Sequence, residues 1–145
     1  IQAVRRYLAQ VKQAEAKNAL GHLGRSVVMW WEREDVDKNG KLVPLGAKKL
    51  FSVAPTPKAI PKGTKYQSSP DEWKPWNELR FAMASPQYYQ YEIKAAKDGQ
   101  SADIIARGDL NGDGKPSVFV LHVQVKRPEN VLVLGTDITE TDPEE

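Results

Sequence analysis

The first 34 residues constrain this chain most, because their helical period is too long to fit beneath a small sheet without crossing it entirely or projecting past it. Apolar side chains recur at Ile1, Val4, Leu8, Val11, Leu20, Leu23, Val27 and Trp30 or Trp31, a spacing that collects side chains along a helix. The period breaks at Ala14 to Ala16, where small residues keep the face lean. Good helix formers fill the middle, and no proline interrupts before Pro44. Gly21 and Gly24 weaken the second half, so a bend is expected there. Ile1 opens inside the period with neither an initiator Met nor a polar cap, which reads as a chain cut or processed within a helix.

After residue 34 the texture changes. Residues 35–78 hold most of the prolines and show no sustained period, so they are expected as a long connection with a short strand or helical turn near 49–53. Period-two alternation then begins. Strands are predicted at 79–83, 88–95, 102–106, 117–125 and 131–134, with Asp98-Gly99 turning a hairpin. Tyr89, Tyr91, Ile93 and Ala95 share one face of the second strand, and Phe119, Leu121, Val123 and Val125 share one face of the fourth. Residues 135–145 form a polar, acidic tail. A helix followed by an antiparallel meander is an α+β layout, with the lower apolar stripe of the helix laid on the sheet. The 145 residues suit one domain with a modest core.

Composition narrows the chemistry. A net charge of +2 is too small to argue for nucleic acid. With no cysteine, disulfides and thiolate metal sites are excluded. His22 falls on the helix and His122 on the outward face of a strand, with no recognisable nucleophile beside either, and no phosphate loop or zinc-spaced histidine pair exists. The sequence therefore points away from an enzyme. The aromatics Trp30, Trp31, Trp73, Trp76, Tyr88, Tyr89 and Tyr91 are expected in the core. Charge is uneven: Arg5, Arg6, Lys12, Lys17 and Arg25 lie in the first 30 residues, and Asp137, Glu140, Asp142, Glu144 and Glu145 in the tail. They read either as two solvated surfaces or as surfaces that meet between neighbouring subunits and set their register.

Two segments resemble the first half of a calcium loop. In 109–117, Asp109, Asn111, Asp113, Lys115 and Ser117 fall at alternate ligand positions with Gly114 sixth. In 35–42, Asp35, Asp37, Asn39 and Lys41 do the same with Gly40 sixth. The bidentate Glu at position 12 is replaced by Val120 and Gly46 respectively, so remaining ligands must be carbonyls, water or the acidic tail. The other reading of both is a tight turn.

The run Tyr-Leu-Ala-Gln-Val-Lys-Gln-Ala-Glu-Ala-Lys-Asn-Ala-Leu-Gly-His-Leu, residues 7–23, resembles type IV pilins just after their N-terminal apolar segment. Ile-Ala-Arg-Gly-Asp-Leu-Asn-Gly-Asp-Gly at 105–114, with Ser117-Val118-Phe119, is similar to a turn found in pilin-like proteins, as is the tail from Ile138 to Pro143. The resemblance implies a pilin-like roll with a long helix, a variable loop and a four-stranded antiparallel sheet. It further implies an inner-membrane anchor upstream, filament assembly with other pilin subunits by an inner-membrane machine, and an extracellular pilus, or a periplasmic one for a pseudopilin of type II secretion. The apolar anchor and the disulfide common in pilins are absent from this sequence. Pseudopilins can hold a C-terminal loop with calcium, which bears on Asp109, Asn111 and Asp113. The residues leave two other readings open: a calcium-dependent extracellular binding module, and a minor pilin that binds DNA through its basic helix, which burial of that helix in a fibre disfavours.

Overall fold

The structure, a computed structural model, describes residues 2–142. It is α+β: one long helix, α1 (Gln2–Glu32), lies across a sheet of six antiparallel strands. These are β1 (Val53–Thr56), β2 (Gln90–Ala95), β3 (Ser101–Gly108), β4 (Ser117–Lys126), β5 (Val131–Leu134) and β6 (Thr139–Thr141). Strands β1 to β5 neighbour one another in chain order, and β6 pairs with β4 beyond the end of β5. No helix among the described residues is long and apolar enough to cross a membrane.

Two strands and one helix depart from the sequence reading. Residues 79–83 are not a strand. Leu79 ends a 3₁₀ helix, Pro70–Leu79, and Arg80 takes a left-handed φ of 53° that no strand accommodates. That helix lies inside the expected connection, and it begins on a Ser-Pro-Asp-Glu start signal in which Ser69 donates its backbone N–H to the Glu72 carboxylate at 2.6 Å. The connection also contains β1, a little beyond the 49–53 expected. In the tail, Thr139–Thr141 pairs with Val118–Val120, so the sheet has six strands and not four.

Core residues come from alternate positions, as period two demands. Tyr91, Ile93, Ala102, Ile104, Ala106, Phe119, Leu121 and Val123 are buried on the face toward α1. Trp73 and Trp76 of the 3₁₀ helix close one flank together with Phe81, whose ring centroid lies 5.5 Å from that of Trp73. Of the aromatics expected in the core, Trp30, Trp31, Trp73, Trp76, Tyr89 and Tyr91 are buried there, and Tyr88 is partly buried against it.

The apolar residues of α1 do not form one stripe. At 3.6 residues per turn, the nine positions from Val11 to Leu20 amount to about two and a half turns, so the pattern resumes on the other side of the helix. Ala16, Leu20, Leu23, Val27 and Trp31 are buried against the sheet. Val4, Tyr7, Leu8 and Val11 point on average about 150° away from them and are 50–65% exposed. Ile1 lies outside the described residues. The helix runs through both glycines. Gly24 serves close approach: a Cβ there would come within 2.8 Å of Leu121 Cδ2.

Candidate functional site

Two places carry the features singled out in the sequence: the loop 109–117 and the outward face of α1.

In the loop, Asp109 is 2% exposed, and its carboxylate gathers the turn around itself. Oδ1 accepts the Asp113 N–H at 3.1 Å and Oδ2 accepts the Gly114 N–H at 2.8 Å. Asn111 Oδ1 also accepts from Asp113 N–H at 3.1 Å, and Asp113 Oδ1 accepts from Lys115 N–H at 2.8 Å. Gly112 and Gly114 have φ of +73° and +86°, which L side chains rarely adopt. The segment 61–63 braces the loop from outside, with Asp109 donating its N–H to the Pro61 carbonyl.

The structure therefore brings Asp109, Asn111 and Asp113 around one turn and leaves the other two candidates elsewhere. Ser117 is fully buried and donates its hydroxyl to the Gly108 carbonyl at 3.1 Å, within the sheet. Lys115 serves the turn through its backbone. Three side-chain oxygen donors make about half of a calcium cage. Among the described residues no group of three or more Asp, Glu or His gathers as a metal site. β6 runs antiparallel to β4 with Thr141 opposite Val118, so Asp142 sits at the loop end of β4.

The loop 35–42 is organised differently. Asp35 is spent on Lys48, whose Nζ lies 3.4 Å from its carboxylate. Asp37 Oδ1 accepts the N–H groups of Asn39 and Lys41 at 2.8 and 3.0 Å, and Val36 bridges to Leu42. Asp35 and Asp37 thus serve different partners. This is a tight turn.

The acidic tail and basic helix do meet, but within one chain: Lys17 pairs with Glu140 at 2.9 Å. His122 pairs with Asp103 on the exposed sheet face at 2.7 Å. His22 is exposed on α1, edge-on to Phe81.

Two positioning residues escaped the sequence reading. Glu15 sits where the docked part of α1 begins. It accepts the backbone N–H of Tyr88 at 2.8 Å and of Tyr89 at 3.2 Å, and the Tyr91 hydroxyl at 2.8 Å. Burial holds its carboxyl above the ordinary 4.5, against those hydrogen bonds and nearby Lys65, which pull it down. Burial and the Glu15 charge push the Tyr91 hydroxyl well above its ordinary value, so it remains a donor. The second residue, Lys48, is 6% exposed and donates to the carbonyls of Trp30 at 2.9 Å and Trp31 at 3.0 Å, and to that of Arg33. A cation there satisfies the orphan carbonyls and the negative end of the helix dipole. Neither role has a local motif. Each partner is remote in sequence.

The outward face of α1 continues past the projecting half. Val4, Leu8, Val11, Glu15, Asn18, His22, Ser26 and Met29 follow one another at steps of three and four along a single line. Below Glu15 this line is walled by the segment 79–85. The resulting groove consists of a hollow of about 310 Å³ beside Asn18 and Phe81. His22 joins it to another of about 430 Å³ beside Met29 and Arg80.

No family model matches this sequence, and neither a curated protein nor a solved structure matches it.

Proposed function

We propose that the chain is a non-catalytic structural subunit of a type IV pilus or related filament, with β1–β6 and the 3₁₀ helix forming the head that α1 carries. The observation that carries this reading is the projecting half of α1. Its apolar residues Val4, Tyr7, Leu8 and Val11 are half or more exposed and turned away from the subunit's own core. A helix stripe of that kind gains stability by burial against another surface, at about 25 cal/mol per Å² of apolar area. Its partners in this reading are other pilin subunits and an inner-membrane assembly machine. The filament is extracellular, or periplasmic for a pseudopilin. The encoding gene tests the idea: a stretch of roughly 20 apolar residues directly upstream is expected. A secretory cleavage site immediately before Ile1 would contradict it.

A calcium-stabilised extracellular module is the second reading, favoured by the order of the 109–114 turn. Asp109, Asn111 and Asp113 would hold the ion, and calcium would fix the loop against 61–63 by neutralising their charge. Calcium is expected to raise the melting temperature of the wild type and leave Asp113→Ala unchanged. An unchanged wild-type melting temperature removes the ion from both readings.

A further inference from the structure

Viewed down α1, two flanks lie between the outward ridge and the sheet, and they carry opposite charge. On one, Lys12 and Lys65 bring their ammonium groups to 4.7 and 5.6 Å from the centre of the Tyr88 ring. Lys58, Lys62 and Lys65 are exposed on a stretch, 57–66, that has no acidic residue. The nearby carboxylates are spent: Glu15 on Tyr88, Tyr89 and Tyr91, and Glu72 on Ser69 and Tyr66. Lys17 lies about 140° around the helix from Lys12 and marks the other flank, where it pairs with Glu140 of β6. Beyond that pair comes the exposed Asp142, followed in the sequence by Glu144 and Glu145, with no Lys or Arg after Arg127. Arg6 is the other cation on this side of α1, about 16 Å further toward its start.

The two flanks sit at one level of the fold. Gln90, Arg107, Val118 and Thr141 form a single row across β2, β3, β4 and β6, and Tyr88 and Asp142 lie just beyond that row in the same direction. We propose that copies of this chain stand side by side with their helices parallel, the Lys12–Tyr88–Lys65 flank of one against the Asp142 flank of the next. Two different patches on opposite sides make a heterologous contact, which repeats into a ring or an open filament and does not close as a pair. Turning the same flank of both copies toward each other sets like charge against like. The ridge, between the two flanks, stays free to meet other ridges at the centre of the assembly. Burial of the ridges supplies the affinity there, whereas charges at the rim set direction and register.

The contact rests on the assembly reading for the presence of a neighbour; the choice of flanks rests on charge. Cysteines can report it cleanly, because the chain has none of its own. Thr64→Cys and Thr141→Cys change exposed residues beside the two patches and leave every charge in place. When the two single variants are mixed at high concentration with a short bis-maleimide linker, peptide mapping is expected to find 64–141 links between chains. Neither variant alone should link. Adding Lys62→Glu/Lys65→Glu to the first variant should abolish the links, and adding Asp142→Lys to the second should then restore them. Links within either variant alone, or links that survive the first charge reversal, would overturn the two-flank contact. So would a wild type that associates in sedimentation while the mixture gives no 64–141 link, a result that leaves the assembly reading standing. A wild type that does not associate, in a mixture that does not link, would overturn both.

Discussion

Leu8 and Leu23 belong to one helix, yet Leu8 is 50% exposed and Leu23 fully buried. The difference is one of position along the helix, not composition. Leu23 faces the sheet beside Gly24, where the helix lies so close that even a methyl group would press on Leu121. Leu8 lies only about 60° around the helix from Leu23, but ahead of the point where Glu15 bolts α1 to the start of β2. The docked half is held by the subunit's own core, whereas Val4, Tyr7, Leu8 and Val11 of the projecting half stay half or more exposed. A subunit interior and an assembly face can therefore be written into one continuous helix, by shifting the apolar period between Val11 and Ala16.

The most direct way to break that contrast is to truncate a leucine in each half. Leu23→Ala is expected to cost about 2–5 kcal/mol of unfolding free energy, as large-to-small changes in packed cores do. Leu8→Ala should stay within about 0.5 kcal/mol when measured on the dilute monomer. Equal losses in denaturant titrations would mean that the projecting half packs on its own head. Next in size is Lys48→Met, which leaves buried carbonyls at the end of α1 without a donor. A loss of about 2 kcal/mol is expected, and an unchanged midpoint would show that water can replace the ammonium.

The Glu15 junction gives a smaller, pH-dependent effect. Burial raises its folded-state pKa above 4.5, so the folded chain holds the proton more tightly than the unfolded chain. Its contribution is therefore fully present below that value and declines as pH rises through the raised one. Thermal unfolding of wild type and Glu15→Gln should show the wild type losing ground as pH rises above 4.5. A constant difference would mean that the three hydrogen bonds offset the burial completely.

Much of this was legible in the sequence. Alternation located β2, β3, β4 and β5 and assigned the inward faces of β2 and β4, because one side of an antiparallel sheet must exclude water. The turn at Asp109 was visible because few residue combinations support that backbone. The 3₁₀ helix was missed because Pro75 and its neighbours read as a loop, although Ser69-Pro70-Asp71-Glu72 is a helix start. β6 was missed because Thr-Glu-Thr is exposed on every residue and carries no alternation. The change of phase in α1 could have been found by counting turns between Val11 and Leu20. Which carbonyls Lys48 would cap could not, since only the tertiary fold brings residue 48 to the end of the helix.

The central claim is that the outward ridge makes contacts between subunits. Sedimentation of the full chain across a wide concentration range, alongside Leu8→Ser/Val11→Ser, tests it most directly. The account predicts that the wild type associates while the double variant remains monomeric with an unchanged melting temperature. Identical sedimentation of the two proteins at every concentration would contradict it.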